Sequence, residues 1–152
     1  MVSPEIEGGA TITDDPDDPG GLTKWGISQR AHPGVDIRNL TYDQAREIYR
    51  ADYWLRCRCD LFPPPLAFAL FDSAVNQGPT KAIQLLQRAL RVYPDGIVGP
   101  DTVAAAGGVV GQDLLIEFLS HRALAYSDGL QKYRRGWFVR LFRLQRAAWS
   151  LA

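Results

Sequence analysis

After position 40 this chain repeats one pattern: apolar residues recur at three and four, and each run is cut by proline or glycine. The breaks fall at Pro63-Pro64-Pro65, Gly78-Pro79, Pro94-Asp95-Gly96, Gly99-Pro100 and Gly107-Gly108. A spacing of three and four puts apolar side chains on one helix face. Proline lacks the N–H that a helix interior needs and clashes with the preceding turn, and glycine tolerates the backbone that ends a helix. The pattern therefore confines most of the chain to short, packed helices.

Their starts and stops can be read individually. Thr41 can cap a helix whose Gln44 completes the capping box, with Leu40 packing on Ala45. This helix is expected to run through Ile48, Tyr49 and Tyr53 toward Trp54. A second runs from about Leu66 to Val75, with Ala67, Leu70, Phe71 and Ala74 as its apolar stripe, and ends at Asn76-Gln77-Gly78-Pro79. A third covers Thr80 to about Leu90, and a short one starts at Pro100, where proline suits a first turn. From about Gln112, Leu115, Phe118, Leu119, Arg122 and Tyr126 share a face, and Trp137, Phe138, Leu141, Phe142 and Gln145 belong to a final helix. Only positions 8–39 lack the pattern, so a small sheet is expected around Ala10–Thr13 and Thr23–Ile27. The fold class is mostly α with a small irregular or β-containing N-terminal region.

That region carries the chemistry. The first twenty positions hold six acids (Glu5, Glu7, Asp14, Asp15, Asp17 and Asp18) and no base. Glu7-Gly8-Gly9 allows close approach to the backbone, because neither glycine has a Cβ. Asp15-Pro16-Asp17-Asp18-Pro19-Gly20-Gly21 is turn chemistry, followed by Thr23 and Trp25-Gly26-Ile27. Carboxylates gathered at a turn, with a hydroxyl and an aromatic just beyond, suit glycosidic bond cleavage. Asp and Gly also collect in hard-cation loops, but the alternating ligands and terminal Glu of an EF-hand are absent. No metal and no cofactor is expected.

The ordered frame from Glu7 to Ile27 resembles glycoside hydrolase family 108, the phage-type endolysins and secretion-associated muramidases. Their core reads Glu-Gly-Gly-Tyr, then Asp-Pro-x-Asp-Pro-Gly-Gly-x-Thr, an aromatic and Gly-Ile; here Ala10 replaces the Tyr, and the gap from Glu7 to Asp15 is about two residues longer. Phe71-Asp72-Ser73-Ala74-Val75-Asn76-Gln77-Gly78 is also similar to that family. Leu86 to Leu90 and Asp95 to Thr102 resemble the peptidoglycan-binding segment often fused to it. The resemblance implies a lysozyme-like fold. Residues 1–66 would be the catalytic portion with its acidic loop, and 67–152 a helical portion resembling a peptidoglycan-binding domain, packed as one globular unit.

By position, Glu7 would be the general acid that protonates the oxygen between N-acetylmuramic acid and N-acetylglucosamine. Asp18 would activate water with help from Thr23, while Asp15 and Asp17 remain rivals for that role. Likeness to phage lysozymes favours inversion, which requires the two carboxyls ~6.5 to 9.5 Å apart. Trp25, Tyr49, Tyr53 and Trp54 could line a sugar cleft or simply pack at helical spacing. Asp72 and Asn76 share a helix face; as polar groups in an apolar stretch they need partners, either substrate N-acetyl groups, the backbone of the acidic loop, or each other. Trp25, Tyr53, Asp72 and Asn76 are the substrate-binding candidates.

Bulk properties narrow the partners. With 17 basic and 17 acidic residues the net charge is zero, which argues against nucleic acid. The bases nevertheless load the tail, where Lys132, Arg134, Arg135, Arg140, Arg143 and Arg146 follow the last acid, Asp128. That tail could meet an anionic membrane or lipopolysaccharide, or pack on the preceding helix. Cys57 and Cys59 are too close in sequence for an unstrained disulfide and read as free thiols. The opening residues lack a basic and an apolar signal region. By resemblance, the protein would wait in the host cytoplasm for holin-dependent release to the periplasm, acting as a monomer on peptidoglycan. A non-catalytic wall-binding or phage structural protein on the same fold, and a transglycosylase, are the alternatives.

Overall fold

The computed structural model describes residues 9–14, 20–108, 111–127 and 134–151, the side chain of residue 127 excepted. The chain forms two compact units, Met1–Arg50 and Ala51–Ala152.

In the first unit, strands β1 (Thr23–Lys24) and β2 (Ile27–Ser28) pair antiparallel, Thr23 opposite Ser28 and Lys24 opposite Ile27. Trp25 and Gly26 are thus a two-residue hairpin connection, with φ of 55° and 74°. Two positive φ values give the turn whose twist matches that of the strands it joins. Below the hairpin, Ile27, Ile37, Leu40 and Ala45 form a buried cluster, with Leu22, Trp25, Val35, Ile48 and Tyr49 packed around it. Helix α1 (Tyr42–Tyr49) opens on the expected capping box: Thr41 Oγ1 accepts from the Gln44 N–H, and Gln44 Oε1 accepts from the Thr41 N–H. Leu40 and Ala45 share the cluster beneath it.

The α geometry does not run on to Trp54. Arg50–Leu55 is wound as a single π-helical turn, a rare form that displaces the side chains following it. Trp54 then donates its indole N–H to Asp60 Oδ1 at 2.8 Å and meets Phe71 edge-on at 5.5 Å. A hydrophobic period of three to four cannot distinguish α from π winding over so few residues.

In the second unit, α2 (Pro64–Gln77) is the centre. It packs against α3 (Pro79–Ala89), α5 (Gly111–Ser127) and α6 (Arg134–Trp149). Its run from Leu66 to Ala74 is buried almost all round, as a helix enclosed by neighbours must be. It starts two residues before the expected Leu66 because Pro64 and Pro65 sit in the first turn, where no N–H is required. Cys57 and Cys59 are free and buried. Arg58 between them has φ 49°, and its guanidinium donates to the Val98 carbonyl at 3.1 Å.

The segment Asp95–Thr102, ending in the first turn of α4 (Pro100–Gly107), is organised by one side chain, Gln87 of α3. Its Nε2 reaches Asp95 Oδ1 at 2.7 Å, the Ile97 carbonyl at 3.0 Å and Thr102 Oγ1 at 3.2 Å, while its Oε1 accepts from the Gly96 N–H at 2.8 Å. The Gln87 amide, then the Ile97 N–H, hold the Asp95 carboxyl below the usual carboxylate range. With the folded value depressed, these bonds contribute above the ordinary carboxylate pKa and are lost as pH falls through the lowered one. Gly96 has φ 79°, and a Cβ there would lie 2.8 Å from Thr80 Cγ2. Gly96→Ala should therefore destabilise the protein by about 2 kcal/mol, seen as a lower urea midpoint at unchanged m-value. An unmoved midpoint would mean that the loop shifts freely.

Candidate active site

In the first unit, backbone hydrogen bonds join Gly9 and Thr13 to the hairpin. Thr13 and Thr23 exchange backbone hydrogen bonds of 2.9 and 2.8 Å, and the Trp25 N–H donates to the Gly9 carbonyl at 3.1 Å. Gly9, two residues beyond Glu7, is thus tied to the hairpin turn, and the chain on either side of residues 15–19 is tied by the threonine pair. Glu7, Asp15, Asp17 and Asp18 themselves lie outside the described residues.

Thr23 is half-buried, and its hydroxyl donates to the Gly21 carbonyl at 2.9 Å. With its proton committed there, the oxygen keeps a lone pair to accept from another donor. Trp25 has a left-handed backbone, with φ 55°. A left-handed backbone costs a side-chain-bearing residue about 1–2 kcal/mol, and three contacts offset this. Its N–H is held by Gly9, its carbonyl accepts from the Tyr49 hydroxyl at 2.9 Å, and its ring lies 5.5 Å from that of Tyr42. The buried indole Nε1 has no acceptor among the described residues. Tyr53, in the π-helical turn of the other unit, is half-buried.

Asp72 and Asn76 are on α2 and find their partners inside the second unit. Asp72 Oδ2 lies 2.7 Å from Arg122 Nη2, and Asp72 Oδ1 lies 2.7 Å from Arg140 Nη2 and 3.0 Å from Arg140 Nε. Asn76 Oδ1 accepts from the Tyr126 hydroxyl at 2.7 Å, and that hydroxyl accepts from Arg122 Nε at 2.8 Å. One network thus links α2, α5 and α6, capped by Trp137 stacked on Tyr126 at 5.3 Å. Burial pushes the Tyr126 hydroxyl above its ordinary pKa. These partners are neither substrate nor acidic loop.

Arg122, Arg140 and Tyr126 were not foreseen as partners. A signal existed for the first: Arg122 stands on the apolar stripe of α5 and is 0% exposed, and an arginine there demands a buried counter-ion. Among the described residues Asp72 is the only buried acid, and no group of three His, Cys, Asp or Glu could hold a metal ion.

Comparison with known proteins bears on family and fold. The Glycosyl hydrolase 108 family model matches residues 4–78, which span the whole acidic frame and α2. No curated protein matches the chain. Among solved structures, the chain is similar to SagA from Brucella abortus, with a TM-score of 0.84 and 30% identity over 97% of this chain and 90% of that one. The fold is lysozyme-like, mostly helical with a small two-stranded sheet, as expected. The chain belongs to glycosyl hydrolase family 108 and is a glycoside hydrolase of the peptidoglycan-hydrolysing kind.

Proposed function

We propose that this protein is an N-acetylmuramidase. It cleaves the β-1,4 bond between N-acetylmuramic acid and N-acetylglucosamine with inversion, and serves as a phage-type endolysin in host cell lysis. Glu7 is the general acid, Asp18 the base that activates water, and Asp15 and Asp17 its rivals. The Thr23 oxygen, its proton given to Gly21, accepts a hydrogen bond from the attacking water. Trp25 offers a flat ring to the sugar, and Tyr53 is a further candidate for substrate binding.

The observation that supports this reading is the backbone register that ties Gly9 to Trp25 and Thr13 to Thr23. A general acid and a water-activating pair act together only if the chain segments bearing them are held at fixed separation. A loop of solvated aspartates would need no such ties.

The lytic setting rests on the resemblance to phage-type enzymes. The protein acts as a monomer on peptidoglycan, with release from the host cytoplasm to the periplasm through a holin. No helix among the described residues is long and apolar enough to cross a membrane.

Product analysis tests the reading. Digestion of purified murein should yield muropeptides with a reducing N-acetylmuramic acid, and proton NMR during the reaction should show the α-anomer first. Reducing N-acetylglucosamine would move the cleavage to the other bond, and 1,6-anhydromuramic acid would make the enzyme a transglycosylase. Murein bound without soluble products would favour a non-catalytic wall-binding protein.

A further inference from the structure

Helix α6 has two faces with different tasks. Leu141, Leu144 and Ala148 are buried, and Arg140 turns inward to Asp72. On the opposite side, Arg135, Phe142, Arg146 and Trp149 follow one another at spacings of seven, four and three, which places them in one stripe, and Arg143 borders it. All five are exposed; Phe142 is 66% exposed, Trp149 44%, and Leu151 just past the helix 49%. α6 contains no acid, and no ion pair joins these arginines to another described residue.

We infer that the outward face of α6 docks on an anionic phospholipid bilayer. The charge is complementary, since guanidinium groups bind phosphates and are drawn to a negative surface. The aromatic rings interleaved with them would sink to the headgroup level, where amphipathic aromatic residues concentrate. Exposed apolar residues alone would not make the case. Helix α5 also exposes Ile116 and Leu124, but Asp113 and Glu117 stand exposed beside them, and a negative surface would repel that face. Among the described residues, the α6 face combines exposed rings with arginines that no acid pairs. A second copy of this chain would bring like charges together there.

Vesicle sedimentation of the full chain provides the test, and it contains no murein, so its result is independent of the hydrolytic reading. The protein should sediment with phosphatidylglycerol–phosphatidylethanolamine vesicles, stay in solution with phosphatidylcholine vesicles, and be released by raising salt past about 0.5 M. Each arginine near the surface contributes about fivefold to partitioning, so R135E/R143E/R146E should bind at least about 100-fold more weakly. Phe142→Ser, which leaves the charge alone, should weaken binding about tenfold. Because every altered position is exposed, circular dichroism and Tm should not change, and hydrolysis of lipid-free murein should be kept. Equal sedimentation with both vesicle types, or undiminished binding by the arginine variant, overturns the inference. So does binding to lipopolysaccharide micelles without binding to phosphatidylglycerol, or a Phe142-dependent dimer in place of vesicle binding. If the triple variant fails to fold, Phe142→Ser and the salt release of the unaltered chain decide the matter.

Discussion

Asp72→Ala is expected to lower the unfolding free energy by about 3–5 kcal/mol, the cost of removing one partner from a buried ion pair. The reason lies in what remains. Arg122 has a side chain 0% exposed, so its guanidinium would lose its counter-ion where water cannot replace it, and Arg140, 19% exposed, would lose the same partner with only partial access to water. Two more links would weaken with it, because Arg122 holds the Tyr126 hydroxyl, which in turn holds Asn76. Surface pairs provide the control. Arg38 and Asp14 stand 3.6 Å apart with both side chains more than 60% exposed, and Asp14→Ala should cost no more than about 1 kcal/mol. Urea denaturation of the two variants separates the cases. A loss for Asp72→Ala as small as that for Asp14→Ala would show that α2, α5 and α6 are held by apolar packing alone.

This network also marks how far the sequence could be read. The polar pair on α2 was legible, because Asp72 and Asn76 interrupt an apolar stretch four residues apart. Their partners were not, since Tyr126 lies 50 residues from Asn76 and Arg140 lies 68 from Asp72. Nothing local sets such pairings; they follow from how the helices assemble. Arg140 belongs by sequence to the basic tail, yet it faces inward while Arg143, three residues on, faces out. Local signals fared better. The Thr41 capping box, the proline opening α4, and the breaks at Gly78 and Gly108 act through the nearest backbone and need no tertiary context. The hairpin lay between these extremes. A sheet was expected near Thr23–Ile27, but a tryptophan in a left-handed turn was not, because its cost is offset by Gly9 and Tyr49 from elsewhere in the unit. The Asp95–Thr102 segment reverses the emphasis. Its likeness to a wall-binding module rests on residues that the fold uses to anchor Gln87, and only Tyr93 and Ile97 nearby are left as large exposed apolar groups.

Glu7→Gln should lower the rate of murein hydrolysis by about 100- to 10,000-fold, the range that a positioned proton donor contributes. The substitution keeps size and hydrogen-bonding shape but has no proton to give to the leaving sugar oxygen. Turbidity loss of outer-membrane-permeabilised Gram-negative cells and release of reducing ends from murein would both report it. Tm should be unchanged and murein binding retained, since the glycine pair and the Gly9–Trp25 tie are untouched. The second carboxylate needs a comparison within the loop. Asp18→Asn should impair hydrolysis strongly and Asp15→Asn and Asp17→Asn weakly, because Asp18 immediately precedes the Pro-Gly-Gly turn that would fix its direction. If Asp18→Asn stays fully active while either neighbour is silenced, the base is reassigned within the same loop and the mechanism stands. If Glu7→Gln clears cells as fast as the unaltered protein, no choice of aspartate rescues it, because the leaving group would then depart without this acid.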